Sequence, residues 1–544
     1  MQHEKTVLHS GILRDCFEKV RRNFYERIDA EKHARVYEGL FPEGYAEHEF
    51  TGKFLDICAY YYEAEGDARA LEKGMKVVRS IAHNMRADGY IGCHEAGKEA
   101  AAFSFWGHGF TLYGLVRMYE ATGDQEILSL VRRAADFVVT LYANPAMPDI
   151  LAASNKGSQN ISCLYAMGKA YTATGDRRYL DFIGRVLAYC ESTDMNLLSF
   201  GSIFDLRSQK GIEMLIVFLG VLQYGCLTGD TAALEAPRRY FKEIWESQIR
   251  NTGNGTLREV WTQGGNAPRL MATEEKPNET CVAVGWIELA LALFFVSPAP
   301  VYLDAVEKSV FNHMIGSLEK EGADLAYYQG NYGRKIYRTD DGAYQCCRYR
   351  GFTFFTYLHE FLFGRVGNAI YPLLYAPSEY ESEGVRIVEK TNYPAEGEIA
   401  FEIENSGTPC VLKLRIPCWC KDYTLAGAPA EMTEDGFLSV ALPVGHSSIR
   451  LALAMPPRVE CFEIAGEPYL TLSRGPLLLA RDSRLGGDPQ EPLDASATPI
   501  LREDGCATVS YTLDGHGFVD FASAGGADPQ NDTYAVYIPC KKKS

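Results

Sequence analysis

The chain has 544 residues, of which 47% are hydrophobic and 23% are charged, and this composition is typical of a folded protein large enough for at least two domains. Its formal net charge of -17 argues against a nucleic-acid partner, because binding to a polyanion relies on a basic surface. The 15 cysteines are an odd number without a short repeated spacing, which excludes a disulfide framework and indicates thiols or metal ligands in a reducing compartment.

The first residues, MQHEKTVLHSGILRDCFEKV, lack the apolar run of a signal peptide. A stretch of about 18 apolar residues, long enough to span a membrane, is also missing from the rest of the sequence. We therefore expect a soluble, cytoplasmic protein without a membrane partner.

A Gly-Asp pair ends four similar apolar segments, with its aspartate at Asp67, Asp124, Asp176 and Asp230. The steps between these aspartates are 57, 52 and 54 residues, so the segments form a repeat. Each segment has helical spacing, and its glycine suits the left-handed conformation that ends a helix. A second helical segment follows each pair, so the repeating unit is predicted to be a helix hairpin.

Two further segments extend this series. Residues 281–316 predict a fifth hairpin, in which SPAP replaces the Gly-Asp turn, and residues 351–364 predict a helix of a sixth unit. Repeats of this length cannot bury their apolar faces alone and must stack. Six hairpins close into a ring, so we predict an (α/α)6 toroid over residues 1–365, a scaffold that is frequent among carbohydrate enzymes.

The pattern changes near residue 366. Segments such as AIYPLLYAPSEYESEGVRIVEK and GFLSVALPVGHSSIRLALAMP alternate apolar with polar residues and are interrupted by proline and glycine. Such alternation predicts short strands, and their regular spacing predicts a β-sandwich. The predicted fold class is mainly α with a β domain: the toroid is followed by a C-terminal β-sandwich over residues 366–544.

The stretch AYQCCRYRG, residues 343–351, contains two adjacent cysteines. They cannot easily close a relaxed disulfide, because a single trans peptide strains the required geometry. Cys346 and Cys347 are therefore a redox-sensitive pair, two separate buried thiols, or two thiolates presented to one metal ion.

A second candidate cluster begins a predicted helix in KPNETCVAVGWIELALALF. Cys281 lies in the first turn, where the helix dipole stabilises a thiolate, and Glu279 lies two residues earlier. Together with Cys346 and Cys347 they supply one carboxylate and three sulfurs, a complete tetrahedral set for zinc. The two pieces are 65 residues apart, about one hairpin and a loop, so adjacent turns of a toroid can bring them together.

These stretches resemble motifs of glycoside hydrolase family 127, the β-L-arabinofuranosidase family: NETCVAVGWIELALALF resembles its Glu-x-Cys motif and YQCCRYRG its Cys-Cys motif. SCLYAMGKAYTATGDRRYLDFIGRVL is similar to the family's helical repeats, and LKLRIPCWC and SRGPLLLA are similar to strands of its β-sandwich region. The resemblance covers most of the chain. It implies an (α/α)6 barrel with β-sandwich domains and an exo-acting hydrolase of glycosides or small oligosaccharides.

The resemblance also implies the roles of four residues. Glu279, Cys281, Cys346 and Cys347 would hold Zn2+, and Cys346 would also attack the anomeric carbon in a retaining mechanism. A thiol held by zinc is deprotonated at neutral pH, and a partly released thiolate can form a thioglycosyl intermediate that water then hydrolyses.

This sequence departs from the family pattern at the residue expected to act as the general acid. Family members carry a glutamate shortly before the Glu-x-Cys motif, whereas the matching residues here, Asn266 to Leu270, contain no acid. Glu274 or Glu275 can protonate the leaving oxygen if this loop takes a different path, and otherwise each is a solvated loop charge. A changed substrate and an inactive site are the other interpretations of the missing acid.

Several polar and aromatic residues are candidate substrate contacts. Family members carry a sugar-contacting histidine in a setting like that of His108, which lies beside Trp106, and polar residues in a region like that of Lys210 and Glu213. A histidine at a helix start and an exposed ion pair can also be structural. Aromatic faces stack on sugar rings or pack in the core. The other aromatic candidates are Tyr327, Tyr328, Tyr344 and Trp261.

Two other functional classes fit the same toroid. One is a different sugar enzyme, such as a lyase or an epimerase, which uses histidine or tyrosine bases and needs no zinc. The other is a non-catalytic protein in which zinc only ties the hairpins together, as closed four-ligand sites usually do. Zinc content tests the first alternative, and turnover of an aryl glycoside tests the second.

Overall fold

The computed structural model of the protein describes residues 4–39, 47–92, 94–101, 103–143, 149–152, 154–264, 270–337, 346–503, 505, 507–526, 528 and 531–541. The α-helices of this part of the chain are α1 Gly11–Arg27, α2 Ala30–Arg35, α3 Glu47–Glu65, α4 Ala68–Asn84, α5 Ser104–Thr122, α6 Gln125–Leu141, α7 Ser158–Ile161, α8 Cys163–Thr174, α9 Arg177–Glu191, α10 Gly211–Thr228, α11 Thr231–Ser247, α12 Thr280–Val296, α13 Pro300–Lys308, α14 Ile315–Ser317 and α15 Cys346–Thr356.

The Gly-Asp pairs form the turns of helix hairpins, as predicted. In the second of them, Gly123 ends α5 in the left-handed conformation with φ +68°, and Asp124 caps α6 by accepting a hydrogen bond from the backbone N–H of Glu126. Left-handed glycines and capping aspartates also join α3 to α4, α8 to α9 and α10 to α11. Each turn thus satisfies backbone groups at the end of one helix and at the start of the next.

Six helices form a closed inner ring. Successive neighbours in this ring are in contact, and α15 contacts α3 to close it. The inner helices are α3, α5, α8, α10, α12 and α15. Helices α4, α6, α9, α11 and α13 pack outside the first five of them, and α1 packs on α15. The predicted toroid is confirmed, and its sixth pair is made from the N-terminal helix and the last inner helix.

Helix α10 differs from one expectation. It has 18 residues and a mean hydropathy of 1.6, so by length and composition alone it is able to cross a membrane. However, 72% of it is buried inside the protein, where it packs against α8, α11 and α12. Its apolar character therefore reflects its position in the ring, where a helix is covered on most of its faces.

The strands lie mostly in the C-terminal part. They are β1 Lys5–Leu8, β2 Tyr332–Gly333, β3 Phe363–Val366, β4 Ala369–Pro372, β5 Ser378–Ser382, β6 Val385–Thr391, β7 Glu398–Asn405, β8 Cys410–Leu414, β9 Tyr423–Ala426, β10 Ala430–Met432, β11 Leu438–Leu442, β12 Gly445–Leu453, β13 Pro457–Ile464, β14 Glu467–Arg474, β15 Leu477–Asp482, β16 Ile500–Arg502, β17 Ser510–Leu513, β18 His516–Asp520, β19 Tyr534–Ala535 and β20 Ile538–Pro539.

These strands form three sheets within the described residues. The first has the order β1-β5-β6-β7-β12-β9 and the second β10-β11-β8-β4-β3, whereas the third is built on β13-β14-β15-β18-β17-β16. The alternation predicted short strands, and β7 follows it, with Ile399, Phe401 and Ile403 buried on one face. Phe363 of the second sheet stacks on Tyr380 of the first at 5.2 Å between ring centroids.

Two short strands connect the helical region with the sheets. Strand β1, which precedes the first helix, pairs with β5, and β2, from the loop before α15, pairs with β19. The inner ring ends at Thr356 and β3 begins at Phe363. The domain division at residue 365 stays a prediction, and β1 and β2 are the segments that cross it.

A buried ion pair network also joins the two regions. Arg415, which is 1% exposed, donates a 2.6 Å hydrogen bond to Asp304 of α13 and forms a second ion pair with Glu307. Glu307 also accepts hydrogen bonds from Tyr393 at 2.5 Å and from Trp419 at 2.8 Å. Charges buried to this degree are tolerated only with such partners, so this network holds α13 against the sheets.

Candidate active site

The predicted cysteines and glutamate come together at the start of two neighbouring helices. Glu279 immediately precedes α12 and Cys281 lies in its first turn, whereas Cys346 and Cys347 are the first residues of α15. Since α12 and α15 are neighbours in the inner ring, their N-terminal ends meet. We call these four residues the thiol cluster.

The distances within the thiol cluster are short. The sulfur of Cys281 lies 3.1 Å from that of Cys346 and 3.1 Å from that of Cys347. Cys347 Sγ is also 3.7 Å from Glu279 Oε1 and accepts a 3.3 Å hydrogen bond from the backbone N–H of Cys281. The ligand atoms of Glu279, Cys281 and Cys346 all lie within 4.8 Å of one another.

The thiol cluster fits a metal ion. Glu279 is 1% exposed, and its Oε2 atom has no hydrogen-bond partner among the residues that the structure describes. A buried acceptor without a partner costs free energy unless a donor or a cation satisfies it. Three thiols that can ionise and one carboxylate surround this position, and together they form a donor set that binds soft or borderline divalent cations.

Cys346 is the most accessible sulfur of the cluster. Its side chain is half-buried, whereas Cys281 and Cys347 are 0% and 1% exposed. Hydrogen bonds from Cys281 and Cys347, and the ammonium group of Lys53 at 3.4 Å, hold the pKa of Cys346 well below its ordinary value. Its position as the first residue of α15 adds the helix dipole to these effects. Cys346 is therefore the thiol that ionises most readily.

A cavity of 390 Å³ lies in front of Cys346. Many of its lining residues lie at the N-terminal ends of inner helices, where helix dipoles favour negative charge, and the others come from loops and short helices between them. The acidic lining residues are Glu49, Glu213, Glu259 and Glu279, and the aromatic ones are Phe50, Phe103, Trp106 and Tyr327. Lys210, Asn155 and Gln159 add a cation and two amides, so the cavity is suited to a small polar ligand.

Glu49 and Lys53 form a buried pair on α3. Both side chains are 3% exposed, and their charged groups are in direct contact. Burial and the thiolate of Cys346 raise the pKa of Glu49 to about 8. The ammonium group of Lys53 is thus shared between Glu49 and Cys346.

A second group of charges lies at the start of α10. Lys210 forms an ion pair with Glu259, which also accepts a hydrogen bond from the hydroxyl of Tyr328. Glu213, 4% exposed, accepts a 2.6 Å hydrogen bond from Asn155 through its Oε1 atom. Burial raises the pKa of Glu213 to about 7, against the lowering effect of Lys210.

Four predicted contacts are placed on the cavity, Glu213 among them, and one is not described. The other three are Trp106, Lys210 and Tyr327. Tyr344 lies outside the residues that the structure describes. Tyr328 reaches the cavity wall through its bond to Glu259, whereas Trp261 is 2% exposed and packs in the core.

His108 is held inside the helical layer. Its Nδ1 atom accepts a 3.1 Å hydrogen bond from the backbone N–H of Ile91, and its Nε2 atom is 3.0 Å from the carbonyl oxygen of Ala134. Burial lowers the pKa of His108 to about 4. Both ring nitrogens are used by backbone groups, so the predicted sugar contact has no support in this geometry.

Glu274 and Glu275 stand apart from the cavity lining in the part of the chain that the structure describes. Glu274 is exposed and lies 3.4 Å from Arg334, and Glu275 accepts a 3.0 Å hydrogen bond from the backbone N–H of Ala272 in its own turn. Their role as general acid therefore stays a prediction that this placement does not favour.

Sequence reasoning missed three residues of the site. Glu49, Lys53 and Glu259 belong to no motif, and their positions follow from ring packing and from the loop that leads to Trp261. Glu49 and Lys53 were recognisable only as an ordinary Glu-Lys pair four residues apart on a helix.

Comparison with known sequences finds the catalytic domain of GH127 β-L-arabinofuranosidases matched over residues 2–360 and the GH127 middle domain over residues 369–455. A non-reducing end β-L-arabinofuranosidase of Bifidobacterium longum subsp. longum is 22% identical over 474 residues. That match covers 75% of this chain and 70% of the relative.

Two solved structures share the fold over almost the whole chain. A GH127 β-L-arabinofuranosidase from Geobacillus stearothermophilus T6 superposes with a TM-score of 0.80 at 16% identity, over 99% of this chain and 100% of the other. A GH127 β-arabinofuranosidase gives a TM-score of 0.83 at 16% identity, over 99% and 97%. At this identity the likeness shows the fold alone.

Proposed function

Because the chain belongs to glycoside hydrolase family 127, we propose that it is a zinc-dependent retaining exo-glycosidase, β-L-arabinofuranosidase-like, with Cys346 as the nucleophile. The observation that carries this proposal is the half-buried sulfur of Cys346, which alone among the three clustered thiols lines the cavity. Relatives that are named β-L-arabinofuranosidases support the choice of sugar.

The ligands of the zinc ion would be Glu279, Cys281, Cys346 and Cys347. A zinc ion bound there keeps its thiol ligands deprotonated at neutral pH. The unpartnered Oε2 atom of Glu279 and the soft sulfur donors are the features that favour zinc over magnesium or calcium, which prefer oxygen ligands.

Cys346 performs the substitution at the anomeric carbon. Its sulfur forms a bond to C1 while the bond from C1 to the leaving oxygen breaks, and that oxygen takes a proton from a general acid. A water molecule then forms a bond to C1 as the bond from sulfur to C1 breaks, and the proton of the water passes to the same group, now a base. Two inversions at C1 give net retention.

The remaining lining residues position the sugar. The faces of Trp106 and Tyr327 offer apolar surface to a sugar ring, and the amides of Asn155 and Gln159 offer hydrogen bonds to its hydroxyls. Lys53 keeps a positive charge 3.4 Å from the attacking sulfur, which favours the thiolate before substrate binds.

The first prediction tests the nucleophile. Cys346→Ala is expected to lower turnover of nitrophenyl β-L-arabinofuranoside at least about 10³-fold, because the covalent route is lost. A haloacetamide or cyclophellitol-type arabinofuranose probe should label Cys346 in the unmodified protein, as read by peptide mass spectrometry. Cys226→Ala removes an exposed thiol on α10 and should leave both results unchanged.

Metal analysis and product stereochemistry complete this test. About one zinc per chain is expected after purification without added metal, and Cys281→Ser and Cys347→Ser should each reduce it. Zinc without turnover would favour a structural zinc protein, whereas turnover without zinc would favour another sugar enzyme. An inverted anomer by NMR, or probe labelling at a different residue, would contradict the proposal.

A further inference from the structure

A retaining glycosidase needs a group that protonates the leaving oxygen. The candidates are the four carboxylates on the cavity wall: Glu49, Glu213, Glu259 and Glu279. Three of them are committed elsewhere. Glu279 belongs to the thiol cluster, and Glu49 is in direct contact with Lys53. One oxygen of Glu259 forms an ion pair with Lys210, and the other accepts a hydrogen bond from Tyr328.

Glu213 has one carboxyl oxygen without a hydrogen-bond partner in the part of the chain that the structure describes, and unlike Glu279 it is not a member of the thiol cluster. Its Oε1 atom accepts the hydrogen bond from Asn155, but its Oε2 atom is buried and has no partner within the described ranges. The residue is 4% exposed and lines the same cavity as Cys346. A buried carboxyl oxygen without a partner, in a residue that lines a cavity, needs a hydrogen-bond partner that a bound ligand can supply.

The loop that carries Asn155 is shaped for this contact. Asn155, Lys156 and Gly157 all have positive φ values, of 54°, 58° and 89°. Left-handed conformations are uncommon for residues other than glycine, although asparagine tolerates them better than most. This turn places the Asn155 amide on Oε1 and leaves Oε2 without a partner among the described residues, so Asn155 is a positioning residue.

We propose that Glu213 is the general acid and base of this enzyme, an inference that rests on the proposed function. In the first step the Oε2–H group of Glu213 gives its proton to the leaving oxygen as the bond from C1 to that oxygen breaks and the bond from sulfur to C1 forms. In the second step the Glu213 carboxylate takes a proton from water as the water oxygen binds C1 and the thiolate of Cys346 departs.

The electrostatic setting suits both steps. Burial raises the pKa of Glu213 to about 7, so the side chain holds a proton in part of the molecules at neutral pH. Lys210 lowers this pKa, whereas the negative charges of Glu259 and Cys346 raise it. A pKa near the working pH lets one carboxyl act as acid and then as base.

The test is the dependence of Glu213→Gln on the leaving group. For methyl β-L-arabinofuranoside, kcat/KM is expected to fall about 10²- to 10⁴-fold, whereas for the nitrophenyl glycoside it should fall less than about tenfold, since a good leaving group needs little protonation. The glycosyl adduct of Cys346 should then accumulate and be visible by intact mass spectrometry. Azide, which needs no base, should restore turnover and yield the glycosyl azide.

Glu389→Gln is the matched control. Glu389 is also a buried glutamate, 1% exposed, with an unpartnered Oε2 atom among the described residues, but it lies on β6 in the first sheet. The same change there should leave the ratio of the two kcat/KM values unchanged. Thermal unfolding of both variants checks that each one folds.

Other outcomes would overturn the assignment. Equal losses of kcat/KM on both glycosides without azide rescue would make Glu213 a structural residue. The same dependence on the leaving group in Glu259→Gln or Glu49→Gln would move the role to that residue. Failure of the proposed function looks different: Cys346→Ala would then keep its activity, or the wild-type protein would cleave neither glycoside, which overturns both proposals.

Discussion

Lys210 influences two carboxylates at once. Its ammonium group contacts Glu259 directly, and its charge also lowers the pKa of Glu213. Lys210 therefore opposes the effect of burial and lowers the protonated fraction of the proposed acid at a given pH. The side chain of Lys210 lines the cavity, so its positive charge also acts on a bound substrate.

Lys210→Met is expected to move the alkaline limb of the pH profile of kcat/KM to higher pH, by about one unit. Glu213 must be protonated to act as an acid, and removing the neighbouring positive charge makes its proton harder to lose. The position of this limb is obtained from kcat/KM for methyl β-L-arabinofuranoside, measured at a series of pH values across neutrality. Lys242→Met, on the exposed side of α11, should leave the limb in place, and a shift to lower pH would contradict this account.

At the scale of elements, the hairpins depend on a two-residue turn. Glycine takes the left-handed conformation that ends one helix, and aspartate accepts a hydrogen bond from the first turn of the next. Both contributions are local, so they act the same way in each of the four Gly-Asp turns.

Asp124→Ala is expected to lower the free energy of unfolding by about 1 kcal/mol, because the cap of α6 is lost. Urea unfolding followed by circular dichroism at 222 nm, a wavelength that reports helix, measures the change. Asp124→Asn keeps an oxygen at the same place and serves as the control, with a loss of a few tenths of a kcal/mol at most. Equal losses in both variants would mean that charge, not capping, stabilises this turn.

At the scale of the whole molecule, the ring and the sheets are held together through buried charge. Arg415, next to the end of β8, reaches Asp304 and Glu307 on α13, and Tyr393 and Trp419 complete the network. The carboxylates of α13 are therefore paired only while the sheets are docked on the ring.

Arg415→Met is expected to destabilise the protein by about 3–5 kcal/mol, because it leaves two buried carboxylates without their cation. Thermal unfolding and limited proteolysis between the ring and the sheets measure this loss. Adding Asp304→Asn and Glu307→Gln to the same chain should recover part of it. Arg386→Met, in an exposed pair with Glu379, should leave the thermal unfolding temperature nearly unchanged, because exposed ion pairs contribute little to stability.

Much of the fold was predictable from local patterns. The hairpins follow from turn chemistry and helical spacing, and the strands follow from alternation, because each signal depends on residues only a few positions apart. The thiol cluster was predictable for a related reason. Its ligands come as two pairs of near neighbours in the sequence, Glu279 with Cys281 and Cys346 with Cys347, so each pair is recognisable without knowledge of the fold.

The tertiary structure decided which residues face the cavity and how the ring closes. Helix α1 pairs with α15 across nearly the whole helical region, a contact that no local pattern encodes. His108 points to the backbone of α6, whereas Glu213 and Glu259 line the cavity and Lys53 reaches the sulfur of Cys346. These directions depend on how six helices pack against one another. The sequence by itself therefore determined the helix repeat and the identity of the clustered thiols, whereas packing determined which charged side chains surround them.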